Sequence, residues 1–366
     1  LGGDLYLPRV VGAALGGEVK AEPMRISFLG DMPWSARIAM NGTDPSQVEL
    51  VPPFLRPYVA GKLRGGFRVS GHLAKNAHPE RVAVDRVEAT VDRLARHDPL
   101  PKEIRLTGNF VYNPDLLTWR GLNLNGESLA LDAERGSVGM QTGRLDIPTL
   151  EMRGKGGPLS RIVQLMGGTV GLSSSAEEAK LKMRIGGRLA KPELYSGDLA
   201  MTGIDLSGFR LNEFNTGFEL RDGSLILSRL LTQGPLGTVR GDASTRLFLQ
   251  DLSSRPADPA LSVSASVEKF NLEVWGKQLP VKGILDGQVS LTGTWARPLG
   301  SLAARVPLLQ VRDSRLRDVK FDAELGASTI MVRALQASMG SGSVSATAVV
   351  RRDGDRMMDV VVKPLQ

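Results

Sequence analysis

Cysteine is absent, which removes disulfides, thiolate nucleophiles and thiolate-bound metals together and suits any redox compartment, an oxidising one included. Aromatic residues make up only 5% of the chain, and the most visible ones, Phe67 and Trp295, sit in what read as apolar strand faces. Stacking platforms interleaved with basic patches are therefore missing, and no nucleic-acid partner is expected. No segment supplies the ~18 consecutive apolar residues of a membrane-spanning helix. The run VVGAAL at 10–15 is too brief for a signal-peptide core and lacks its basic flank. The chain starts at Leu1, which reads as a piece of a longer protein or a processed start.

Catalytic signatures are equally scarce. The three histidines, His72, His78 and His97, lie in strand-end or loop sequence without zinc-site spacing or a nearby nucleophile elbow. There is no G-x-x-x-x-G-K-[ST] loop and no strand-to-helix G-x-G-x-x-G, and the glycine clusters Gly167-Gly168 and Gly340-Ser-Gly342 fall where corners are expected. Asp85, Glu88 and Asp92 occupy polar strand positions and read as solvated outer-face residues. No enzyme activity, cofactor or metal is expected. The formal charge of +7 comes from basic and acidic residues interleaved nearly everywhere, and the best basic stripe, Lys180, Lys182, Arg184 and Arg188, reads as an outer solvated face.

What the chain does have is alternation. In GKLRGGFRVSGHL (61–73), Leu63, Gly65, Phe67, Val69, Gly71 and Leu73 fall on one side of an extended chain and polar residues on the other, the period of a half-buried β-strand. The pattern returns in KLKMRIGGRL (180–189), with Leu181, Met183, Ile185, Gly187 and Leu189 on one face. It returns again in LDGQVSLTGTW (285–295), with Leu285, Gly287, Val289, Leu291, Gly293 and Trp295. Each alternating strand ends in related punctuation, Gly71-His-Leu-Ala-Lys, Gly187-Arg-Leu-Ala-Lys-Pro192 and Gly293-Thr-Trp-Ala-Arg-Pro298, with Pro79 delayed in the first copy. New strands are expected at 81–91, 197–202 and 301–306, and strand–corner–strand patterns at 117–136, 223–249 and 326–351.

This spacing predicts repeats of roughly 110 residues. Residues 1–60 would be the end of a preceding unit with a proline-rich connector, 61–179 a first unit, 180–284 a second and 285–366 an incomplete third. Only PLSRIVQLMG (158–167) has helical spacing. The fold class expected is all-β. Sandwich, closed barrel and open sheet all remain, and the regular repeats favour an elongated, curled antiparallel sheet. Its apolar face could be a core packed by its own side chains or a trough left unfilled. Glycines at 65, 71, 187, 287 and 293 favour the trough, because they allow bending and leave room. Such a trough would suit hydrocarbon, since each sheltered CH₂ gains about 0.8 kcal/mol.

The G-x-L-x-x-P turn after an alternating strand (187–192, and 293–298 with Trp295 in place of the leucine), the glycine corners at 234–241 and 340–344, and the stretch SRIVQLMGGTVGLSSSAEEAKLKMRIGGRLAKPELYSGDLAM (160–201) resemble the repeat region of TamB and the wider AsmA-like family. The resemblance implies an internal segment of a Gram-negative envelope protein, anchored in the inner membrane through a segment outside this sequence and crossing the periplasm as a β-taco with a hydrophobic groove. It further implies non-enzymatic transport of phospholipid acyl chains toward the outer membrane, and an Omp85-class outer-membrane barrel as a partner for a carboxy-terminal region outside this sequence. On this reading Leu63, Phe67, Val69, Leu181, Met183, Ile185, Val289, Leu291 and Trp295 line the groove. The rival reading is an assembly module that holds a barrel protein's strand at an open sheet edge.

Overall fold

The computed structural model describes residues 3–28, 32–47, 56, 61–73, 79–92, 103–165, 175–188, 191–206, 209–248, 256–275 and 281–351. Among these the protein is all-β, an open antiparallel sheet of 21 strands with one α-helix. Two compact units divide the chain, Leu1–Gly197 and Asp198–Gln366.

In the first unit the strands are β1 Asp4–Leu7, β2 Val10–Ala14, β3 Gly17–Ser27, β4 Pro33–Thr43, β5 Lys62–Leu73, β6 Pro79–Asp92, β7 Glu103–Tyr112, β8 Leu116–Gly126, β9 Leu129–Gly139, β10 Arg144–Gly154 and β11 Glu178–Arg188. Helix α1, Gly156–Leu165, lies between β10 and β11, and β12, Lys191–Leu206, runs across the division. The second unit continues with β13 Phe209–Arg221, β14 Ser224–Gly234, β15 Gly237–Arg246, β16 Leu261–Asn271, β17 Val281–Gly293, β18 Pro298–Val311, β19 Ser314–Leu325, β20 Thr329–Met339 and β21 Gly342–Arg351. From β3 to β11, and from β13 to β21, each strand pairs with the next in chain order, while β1 and β2 both pair with β3.

The strands expected from the sequence are present. The predicted segments 81–91, 197–202 and 301–306 fall inside β6, β12 and β18, and the expected helix forms two residues earlier than its apolar spacing, with Pro158 in its first turn where a missing N–H costs nothing. The proline-rich connector lies mostly outside the described residues; Pro45–Gln47 forms a single 3-10 turn.

Strict alternation describes only part of the sheet. In many strands one step between inward apolar residues is three instead of two: Ala21 to Met24, Val84 to Val87, Trp119 to Leu122, Ile147 to Leu150, Leu227 to Leu230, Val267 to Phe270 and Val332 to Leu335. Where such a strand meets a strictly alternating one the register shifts by one residue, as between β5 and β6, β10 and β11, or β16 and β17. These are β-bulges, which insert one extra residue, bend the strand and increase its twist. Without the matching three-residue step each insertion would turn every later apolar side chain to solvent.

Three of these bulges place a long basic residue in the left-handed region: Arg86 (φ 52°), Arg229 (φ 54°) and Lys269 (φ 53°). In each, the freed backbone N–H donates to a side-chain oxygen on the neighbouring strand, Arg86 to Asn109 Oδ1 at 2.8 Å, Arg229 to Asp242 Oδ1 at 3.0 Å and Lys269 to Asp286 Oδ1 at 2.8 Å. Glycine at position 269 would adopt φ 53° without a Cβ penalty, so Lys269→Gly should leave stability within about 1 kcal/mol, whereas the β-branched Lys269→Val should cost about 1–2 kcal/mol. Urea unfolding of the two variants side by side checks this.

Candidate functional site

The nine residues expected to line a groove fall into four settings. Leu63, Phe67 and Val69 belong to β5. Leu63 packs with Val87 and Ala89, Val69 packs with Ala36 and Val82, and Phe67 bridges the two clusters. Leu181, Met183 and Ile185 sit on β11, paired with Met152, Leu150 and Ile147 of β10. Ile185 is 0% exposed, helix α1 packs against β10 and β11, and its Leu159 is also 0% exposed. Here the apolar face is closed over by protein, so a charge at Ile185 would report on folding and not on a ligand.

Val289 and Leu291 of β17, by contrast, are half-buried. They belong to two apolar rows that cross eight strands, β14 to β21, without interruption. One runs Leu230, Gly241, Ala265, Val289, Leu302, Ala323, Val332, Ala348 and the other Leu227, Ala243, Val263, Leu291, Gly300, Leu325, Ile330, Val350. Apart from the buried Ala323, every member is half-buried. The adjoining outward row reads Asp242, Ser264, Ser290, Ser301 and Glu324 over five of the same strands. Seven inter-strand steps of roughly 4.8 Å give each apolar row a span of about 34 Å.

Among its described residues the second unit contains only strands, turns and the 3-10 turn Leu272–Trp275, so no second layer of secondary structure within the unit covers these rows. One buried cluster of the unit lies elsewhere on the strands, where Leu272 of the 3-10 turn meets Val306, Val319 and Ala337. The rows thus form an apolar strip whose outward neighbour row is polar from β15 to β19 and continues as the exposed Met331 and Val349 on β20 and β21. Such a strip can shelter hydrocarbon against side chains that have no polar group to satisfy.

Trp295 does not share this face. Strand β17 ends at Gly293, whose φ of 100° breaks the alternation, and Trp295 lies in the following turn, 60% exposed, its indole N–H donating to Thr245 Oγ1 at 2.9 Å. In the same turn the Thr294 hydroxyl and the Ala296 N–H hold the Asp258 carboxyl below its usual range. The basic stripe is solvated as expected: Lys180 pairs with Glu178 at 3.2 Å and Lys182 with Glu151 at 2.7 Å. His72 is exposed, while His78 and His97 lie outside the described residues.

The glycines do not leave room. A Cβ at Gly65 would lie 2.2 Å from the Glu88 carbonyl oxygen, at Gly187 2.6 Å from the Glu193 nitrogen and at Gly287 2.8 Å from the Ala303 carbonyl oxygen. At Gly293 it would lie 2.7 Å from the Arg297 carbonyl oxygen. At Gly71 the Arg81 carbonyl oxygen would be 2.4 Å away and the Trp34 indole Nε1 3.0 Å away. Neighbouring backbone, and at Gly71 an aromatic ring from the next strand, fills the space that the missing side chains vacate. The openness of the second unit therefore has another source, the lack of a covering layer among its described residues.

Sequence reasoning missed most of the strip, including Leu227, Val263, Leu302 and Val332. The alternation in LSVSASV (261–267) carries a usable signal, but the three-residue steps in β14 and β20 hide it there. Comparison of the chain with protein-family models, with curated proteins and with solved structures finds no match.

Gly187 combines φ 110° with a backbone atom in the way of a Cβ, so Gly187→Ala should destabilise by about 2 kcal/mol or more. Gly12, with nothing within 4 Å, should accept alanine within about 0.5 kcal/mol. Chemical denaturation of both variants measures the difference.

Proposed function

We propose that the second unit holds phospholipid acyl chains along its two apolar rows, and that the protein is a non-enzymatic carrier conducting them across the periplasm toward the outer membrane. One observation carries the reading: two unbroken apolar rows cross eight strands, half-buried, with a polar row beside them. Each row runs from strand to strand with no polar side chain and no pocket-like specificity along it. A hydrocarbon chain lying on it gains about 0.8 kcal/mol per sheltered CH₂ at every position. A uniform lining binds without favouring one stopping point, which is the energetic requirement for conduction. The periplasmic setting and the direction of transport draw on the resemblance to AsmA-like proteins alone.

A second reading draws on the other end of the chain. Strands β1 and β2 pair only with β3 among the described residues, and they carry the exposed Leu5, Tyr6, Val10 and Val11. An apolar edge of this kind can accept an extended strand, as an assembly module for barrel proteins would. Photo-crosslinkers at positions 289 and 6 separate the two: lipid adducts at 289 support the carrier, polypeptide adducts at 6 the assembly module.

Period two supplies the sharpest test. Val289→Asp puts an ionised group on the apolar row and should lower the phospholipid that copurifies with the protein by about tenfold or more, because the charge has no partner there. Ser290→Asp, one residue away on the outer face, should leave it unchanged. Mass spectrometry of detergent-free protein reads both. Equal lipid in the two variants, with both folded by circular dichroism, would overturn the carrier reading.

A further inference from the structure

The geometry points to a phosphate-binding site on the polar face of the first unit, between β4, β5 and β6. A cavity of about 380 Å³ is lined there by Arg37, Gly66, Phe67, Arg68, Arg86 and Glu88, a volume at the small end of small-molecule pockets. Its floor is low because Gly66 faces Ala39 across the strand pair, so neither residue brings side-chain bulk. Arg37 and Arg68 stand directly opposite one another, an arrangement that costs stability unless an anion lies between them. The third guanidinium comes from Arg86, the bulge residue held at φ 52°.

A comparison within the chain shows what is particular here. All three basic bulges need an acceptor for the freed N–H. At Arg229 and Lys269 it is an aspartate, and the Arg229 guanidinium is itself taken up by Asp198 at 2.7 Å. At Arg86 the acceptor is the uncharged Asn109 and brings no carboxylate, so Asp85, the other outward residue of this bulge, and Glu88 face three guanidinium groups and the site keeps a net positive charge. None of the three guanidinium groups forms an ion pair with a described residue, although Glu88 lines the cavity and Asp85 faces Arg68 in register.

Three planar, permanently charged donors around a small cavity match the tetrahedral oxygens of a phosphate ester, which guanidinium groups bind in bidentate fashion. Glu88 selects against more heavily charged anions. Arg68 stands on the face of β5 opposite Leu63 and Val69, Phe67 borders the cavity between the two faces, and the site uses no residue of the second unit's apolar rows.

Calorimetric titration of the full chain with glycerol 3-phosphate and with inorganic phosphate, and sedimentation with phosphatidylcholine vesicles with and without phosphatidylglycerol, test it. Arg37→Gln removes one guanidinium, and Arg86→Gly removes another while keeping the bulge, because glycine takes the same φ. Each should weaken binding about tenfold. Glu88→Gln should tighten it, and Arg315→Gln, far along the sequence in the second unit, should change nothing. Saturable binding of the soluble esters with this pattern assigns a free phosphate ligand. Binding of phosphatidylglycerol vesicles alone, with the same dependence on Arg37 and Arg86, assigns the phosphate of a lipid headgroup. Absence of both, or binding that Arg37→Gln and Arg86→Gly leave unchanged, overturns the site.

Discussion

Everything in this protein depends on keeping apolar side chains on one face of a sheet whose strands are repeatedly interrupted. Each bulge adds a residue, and in a period-two structure one added residue exchanges the faces. The chain absorbs this by lengthening one apolar step from two residues to three in the same strand, as from Val84 to Val87 and from Leu227 to Leu230. Two adjacent strands stepped at the same level pair without a shift, as β9 with β10 and β18 with β19; β19 and β20, stepped at different levels, shift twice, and a stepped strand beside a strict one shifts once. The register of the sheet is thus written in the places where alternation fails.

That rule also explains how much of the fold was legible beforehand. The segments recognised from alternation, 61–73, 180–189 and 285–295, correspond to β5, β11 and β17, which alternate strictly. Their neighbours β6, β10, β16 and β18 carry the three-residue step, and over eleven or more residues such a pattern matches neither a strand template nor a helix template. The all-β class, the glycine-and-proline turns and helix α1 could be read because they rest on local chemistry. The bulges could not, because a bulge is a relation between two strands.

The candidate site was legible as a face and illegible as a space. Side-chain alternation says which residues share a side of the sheet, and it placed Ile185 and Val289 correctly on apolar sides. Whether that side is covered depends on the connections. In the first unit helix α1 follows β10 and packs back onto β10 and β11, leaving Leu181, Met183 and Ile185 sealed. In the second unit the described connections are tight turns and one 3-10 turn, whose Leu272 seals a single cluster. The same strand grammar gives a closed core in one place and a half-buried strip in another, and glycine content does not separate the two cases.

The bulges organise the polar face as well. At the three basic bulges two consecutive residues face outward and a freed backbone N–H finds an acceptor on the neighbouring strand. Aspartate meets the need at Arg229 and Lys269 and adds a carboxylate beside the basic bulge residue, whereas Asn109 meets it at Arg86 and adds none, leaving Asp85 of the same bulge as the adjacent carboxylate. A choice between two side chains of nearly equal shape, made to satisfy one hydrogen bond, therefore changes the local charge by one. Charge on this face is a consequence of register, and the +7 balance of the whole chain says little about where the unpaired cations stand.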